Sequence, residues 1–133
     1  MHSRKVAFAV IAVFFCGVFM ISAQAQARVV VKFARGQHAA SAKGSIRGFT
    51  YIDYVLGARA GQNMMVELTS TDDKAQMVVL DPDKRNVDEG TGVQAYSGDL
   101  EKSGNYTVRV LMSRAEARRK GAATSFLVTF TIK

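Results

Sequence analysis

The sequence predicts an all-β fold: a small antiparallel β-sandwich or barrel of about seven to eight strands, with a short helical or loop segment before the last strand. Three observations carry this. The segment Asn105 to Met112 alternates, placing Tyr106, Val108 and Val110 on one face and Thr107 and Arg109 on the other. Ser125 to Ile132 does the same with Phe126, Val128, Phe130 and Ile132. Shorter β-branched or apolar runs recur between turn signals, and no long helical period appears, which excludes a parallel α/β fold.

The chain of 133 residues has room for one domain of ordinary size. Its first stretch is different in kind. Arg4 and Lys5, the apolar run Val6 to Ile21, and the small-residue tail Ser22 to Ala27 with overlapping Ala-x-Ala sites spell a cleaved secretory signal peptide over residues 1–27, cut after Ala25 or Ala27. Sixteen apolar residues fall short of the roughly 20 that span a bilayer as a helix, so no membrane attachment is expected once the leader is removed. Phe14 and Phe15 before Cys16 are unsuited to lipoprotein processing. Residues 28–133 then form a single domain without cysteine, so the core must hold the fold without a disulfide.

Along that domain, Val29 to Phe33 reads as a β-branched strand, Arg35 to Gly44 as a connection, and Ser45 to Phe49 as a short strand. Tyr51 to Ala58 and Asn63 to Thr69 flank the Gly61-Gln62 turn and are expected to pair as a hairpin. Gln76 to Leu80 is a further strand, stopped by Pro82, which has no amide for a ladder. Asp83 to Gly98 lacks a hydrophobic pattern and is expected as the longest loop, with turns at Asp88-Glu89-Gly90 and Thr91-Gly92. Met64, Met65 and Met77 are expected to fill the core.

Eighteen Lys and Arg face eleven Asp and Glu, a net charge of +7 that becomes +5 when Arg4 and Lys5 leave with the leader. Basic charge gathers at the two ends of the domain, most densely in Ser113 to Gly121. That segment is spelled as one or two helical turns, with Ser113 and Glu116 as a capping box and Gly121 as the stop. Arg114 and Arg118, four apart, project from one face of such a turn, and Arg119 follows them.

These segments carry a resemblance. Val29 to Phe33 with Gly36, then Gly44 to Tyr51, the Gly61-Gln62 turn, Leu100 to Leu111, and Arg114-Ala115-Glu116-Ala117-Arg118 before the terminal strand are similar to the periplasmic inhibitors of goose-type (g-type) lysozyme, the PliG family. The resemblance covers essentially the whole mature chain, and the pairing of Ser103-Gly104-x-Tyr106 with Arg-x-x-x-Arg is its specific part. It implies a monomeric, periplasmic β-sandwich whose partner is g-type lysozyme and which blocks that enzyme's substrate cleft. Arg114 and Arg118 correspond to the family's inhibitory pair, with Arg119 beside them. Phe49 stands where the family commonly has Tyr, so the ring is kept and the hydroxyl lost, and Tyr51 is the candidate to supply it.

Other functions are disfavoured by what the chain lacks. His38 is the single histidine after the leader and the domain has no cysteine, which excludes a multi-His metal site and a Cys/His nucleophile. No cofactor is expected. Asp72-Asp73 and Asp81-x-Asp83 lack the regular oxygen spacing of calcium loops and read as turns. No nucleophile, base and orienting group stand at recognisable spacing, which argues against an enzyme. Secretion removes nucleic acid as a partner. The rival reading is a secreted glycan- or surface-binding β-sandwich without inhibitory activity. Such modules usually rely on exposed Trp, which this chain lacks.

Overall fold

A computed structural model describes residues 27–87 and 93–133; apart from Ala27, the expected leader lies outside the described residues, as do the turns expected at 88–92. The described chain forms strands β1 (Ala27–Val30), β2 (Ala39–Arg47), β3 (Ile52–Ala58), β4 (Asn63–Ser70), β5 (Ala75–Leu80), β6 (Ala95–Asp99), β7 (Gly104–Met112) and β8 (Ala123–Ile132), with one helical turn, α1 (Arg114–Ala117), before the last strand. Two four-stranded sheets result, ordered β1-β3-β7-β5 (sheet A) and β2-β8-β4-β6 (sheet B). Odd strands make sheet A and even strands sheet B, so the chain crosses the sandwich at every connection.

This corrects the expected hairpin. β3 and β4 lie in different sheets: the Gly61 turn, with its left-handed φ of 93°, carries the chain across rather than back along the same sheet. β1 runs parallel to β3 because two crossings at opposite ends restore the original direction; every other pairing is antiparallel.

Three further expectations need correction. β2 begins at Ala39, inside the stretch read as a connection, and ends at Arg47, leaving Phe49 beyond it. Its inward residues Ala40, Ala42 and Gly44 are small because rings from both sheets already fill the space, so the strand carries little apolar signal. β6 lies in the expected loop. The chain after β5 turns back along that strand, where Val87 and Val93 bond Val79 and Met77, before β6 pairs with β4. β1 ends at Val30, yet Val31 still donates to Val55 O at 2.8 Å, and Val31 and Phe33 pack on the core.

The core is the interior between the sheets. Tyr54 of β3 reaches across to β8, edge-on to Phe126 with centroids 6.2 Å apart and tilted against Phe130 at 5.6 Å. Met64 and Met77 are fully buried, whereas Met65 faces solvent at 41% exposure, because register puts alternate β4 residues outside. Tyr106 is buried and its hydroxyl donates to Lys102 O at 2.8 Å, so the Ser103 to Tyr106 segment serves as a corner bond.

Gly44 is the tight point. A Cβ there would lie 2.7 Å from Phe126 Cζ and 2.9 Å from Tyr54 Oη, the tips of two rings that cannot move independently of the core. Gly44→Val is therefore expected to lower unfolding stability by about 1–3 kcal/mol through overpacking, read as a lower urea midpoint with unchanged slope.

Candidate functional site

Three connections gather at one end of the sandwich. They are the β2–β3 turn Arg47 to Thr50, the β4–β5 turn Thr71 to Lys74, and the segment Ser113 to Ala122 that holds α1. Each is fixed locally. Thr50 Oγ1 donates to Arg47 O at 2.7 Å and accepts from Arg47 N at 3.0 Å, closing a tight turn in which Gly48 takes a φ of 57°. Phe49 is held at its tip, 64% exposed. Gly48 N donates to Ala122 O at 2.9 Å, tying this turn to the α1 segment.

α1 forms because Ser113, extended at φ −62° and ψ 159°, accepts the Glu116 amide at 3.3 Å on its hydroxyl, and because Ala117 is buried and pins the turn to the core. The hydroxyl half of the expected capping box is present. The carboxylate is used otherwise: Glu116 Oε1 is shielded from solvent without a hydrogen bond and faces Arg119 Nε at 3.4 Å and Lys74 Nζ at 3.8 Å. The helix stops after a single turn, with Arg118 as its C-cap, and Gly121 at φ 72° starts the reversal into β8. Arg118 N donates to Arg114 O at 3.2 Å, so the two arginines sit one turn apart, both exposed.

The cations of the domain fall into two groups. Arg109 makes a two-point pair with Asp53, Nε to Oδ1 at 2.7 Å and a terminal nitrogen to Oδ2 at 2.9 Å, and its guanidinium lies 4.1 Å from the Tyr51 ring centroid. The Asp53 carboxylate holds the Arg109 guanidinium above its ordinary pKa. Tyr51 is half-buried and held against the Arg109 guanidinium. At the opposite end, Lys102 Nζ meets Asp83 at 2.7 Å and Asp81 at 3.1 Å; at the α1 end, Lys74 faces Asp72 and Glu116. Among the described residues the other cations, Arg114 and Arg118 included, have no carboxylate partner, except Arg119, which has Glu116.

Between Phe49 and Arg114 lies an open groove of about 380 Å³, floored by Gln76 and Val78 of β5 and Leu111 of β7. None of these three belongs to the expected site. The signal for them was present in the sequence: Val78 and Leu111 interrupt the alternation of β5 and β7, standing on outward positions where a solvated strand carries polar residues. Among the described residues, no cluster of His, Cys, Asp and Glu could hold a metal ion.

No protein-family model matches the sequence. The chain is 29% identical over 99 residues to the inhibitor of g-type lysozyme from Escherichia coli K12, covering 68% of this chain and 71% of that protein. Its fold superposes on the crystal structure of Aeromonas hydrophila PliG, a periplasmic inhibitor of g-type lysozyme, with a TM-score of 0.70 and 32% identity over 81% of this chain and 97% of that one. Salmonella Typhimurium PliG, also a periplasmic inhibitor of g-type lysozyme, gives a TM-score of 0.64 and 33% identity over 80% of this chain and 97% of that one.

The β4–β5 turn is anchored to β8 by Thr124, which donates to Asp72 Oδ1 at 2.6 Å. That hydroxyl first, then the Lys74 amide and ammonium, hold the Asp72 carboxyl below its usual range. A depressed folded pKa contributes stability that is complete above the unfolded value, about 3.9, and disappears as pH falls through the folded one. The difference in thermal midpoint between wild type and Thr124→Val should thus be constant from about pH 7 to 5 and close below about pH 4. Other carboxylates, Asp81 included, are common to both proteins and cancel.

Proposed function

The chain belongs to the PliG family of periplasmic g-type lysozyme inhibitors, and from that premise we propose that it inhibits a g-type lysozyme in the periplasm by seating the Phe49 end of the sandwich in the enzyme's substrate cleft. The observation that carries this reading is the placement of two arginines. Arg114 and Arg118 stand one turn apart on a capped segment fastened to the Phe49 turn, exposed and without a carboxylate partner among the described residues, whereas Arg109, Lys74 and Lys102 are matched within the domain. A glycoside hydrolase supplies such a match, since its cleft holds carboxyl groups for the chemistry of the glycosidic bond. Two guanidiniums offer planar forks of donors to those carboxylates, and their bulk excludes the glycan. Arg119 adds charge at the rim. Phe49 contributes an exposed ring, and Tyr51, braced by Arg109, brings the hydroxyl that Phe49 lacks.

Purified domain should inhibit peptidoglycan clearing by g-type lysozyme and affect chicken-type and invertebrate-type enzymes much less. Absence of inhibition, or equal inhibition of all three, overturns the reading, the latter pointing to a glycan-binding module that shields the substrate. If both arginines meet carboxylates in a desolvated cleft, Arg114→Ala and Arg118→Ala should each cost about 2–5 kcal/mol of affinity, because a buried acid is left unpaired. Lys at either position keeps charge but loses the fork, and should raise the dissociation rate in surface plasmon resonance with circular dichroism unchanged. Arg35 and Lys43, outside the docking end, should alter only association rate and salt dependence.

Export follows from the same reading. The Ala27 amide donates to Tyr51 O at 3.4 Å and Ala27 is the register partner of Ile52, so cleavage after Ala25 keeps the start of β1 whereas cleavage after Ala27 removes it. Intact-mass measurement on osmotic-shock fluid should find a chain beginning at Gln26. Recovery only from membranes with the leader attached would refute export as a soluble species.

A further inference from the structure

We infer that the groove between Phe49 and Arg114 is a second contact site for the same lysozyme, a receptor for one aliphatic or aromatic side chain projecting from the lip of its cleft. The inference rests on the proposed inhibition and adds the outer face of sheet A to the docking surface.

The strands present this floor for no internal reason. Val78 and Leu111 point away from the core, whose side of β5 and β7 is made by Ala75, Met77, Val79, Tyr106, Val108 and Val110. Register puts Gln76 opposite Leu111 and Val78 opposite Arg109, so the two apolar side chains are diagonal neighbours on one surface. Phe49 rises on one side and Arg114 on the other, enclosing about 380 Å³. Arg109 flanks the floor, but its charge is already matched by Asp53, so the groove's edge toward β3 presents no free cation to an apolar guest.

The outer face of sheet B is built differently. Ser41, Lys43 and Ser45 of β2, Glu67 and Thr69 of β4, and Thr129 of β8 dominate it, and Met65 and Leu127 stand out singly. Isolated exposed hydrophobics are ordinary on protein surfaces, whereas Val78 and Leu111 are adjacent, half-buried and bordered by the exposed Phe49 ring, a grouping that marks a contact. The occupant follows from continuity. Arg114 lines the groove and is also one of the two cations offered to the cleft, so a partner whose carboxylate meets Arg114 brings its neighbouring surface over Leu111 and Val78. An apolar side chain there covers the floor and excludes water from the Arg114 pair, strengthening it.

The test compares two double variants that both keep strand-favouring residues, Val78→Thr with Leu111→Thr in the groove and Met65→Thr with Leu127→Thr on the opposite sheet. Binding to g-type lysozyme is followed by surface plasmon resonance. The groove pair should dissociate about tenfold faster than wild type, and the opposite pair should be unchanged. No change in the groove pair, or equal loss in both, overturns the inference. Methyl NMR of the wild-type domain needs no variant: adding lysozyme should shift the Val78 and Leu111 methyls and leave Met65 and Leu127 in place, and the reverse refutes the site. Arg114→Ala with Arg118→Ala, run alongside, separates the two readings. Full binding by that folded variant removes the proposed docking end and the groove with it. Loss of binding there, with an unaffected groove pair, removes the groove alone.

Discussion

Everything in this domain depends on the chain changing sheets at each connection. No strand hydrogen-bonds to its neighbour in sequence, so each sheet is assembled from segments that met only after crossing the interior, and the two sheets cannot exist apart. With no cysteine after the expected leader, the force that keeps them together is burial of side chains between them, above all the Tyr54 ring set against Phe126 and Phe130, with Gly44 leaving space for both. Alternate crossing has a geometric corollary. Apart from the β5–β6 connection, which runs back along β5, the connections lie at the two ends of the sandwich, and three of them share the end that carries Phe49, Arg114 and Arg118.

Strands with strong alternation were legible in the sequence because their signal is local. β7 and β8 pair with opposite strands over nearly their full length, and their buried faces needed apolar residues at each second position. The first two thirds of β2 and nearly all of β6 were hidden for the opposite reason. Both are edge strands, one with small inward residues beneath large rings and the other with Tyr96 as its chief apolar group, so composition resembled a loop. The expected hairpin around Gly61 failed because turn residues report that the chain reverses and say nothing about which sheet receives it. Periodicity pointed to the all-β class and left sandwich and barrel open, and the resemblance pointed to the sandwich.

The candidate site divides in the same way. Arg114 and Arg118 could be placed on a helical turn from spelling alone, since the Ser113 cap and the i, i+4 spacing are local facts. That Phe49 shares a groove with Arg114 depends on two crossings that lie more than sixty residues apart in sequence, and that Tyr51 is braced by Arg109 depends on the register of β3 on β7. The unexpected residues of the floor, Val78 and Leu111, were visible as breaks in alternation but acquire meaning only when β5 and β7 lie side by side. Glu116 marks the limit of spelling: its sequence position fits a capping carboxylate, and the fold turns it toward Lys74 and Arg119.

The turn that carries Phe49 bears on the thermodynamics of association. Arg47 to Thr50 is clamped by its own hydroxyl in both directions and fastened to Ala122, and α1 is a capped turn seated on Ala117. Backbone already confined to a single conformation has little freedom left to surrender when a partner arrives, so the ordering entropy that opposes binding through flexible loops is largely settled when the domain folds. Side-chain rotamers of Arg114 and Arg118 are what remains to be ordered. Such a surface discriminates by shape and charge at contact, and a partner whose cleft differs modestly in outline gains no accommodation from the backbone.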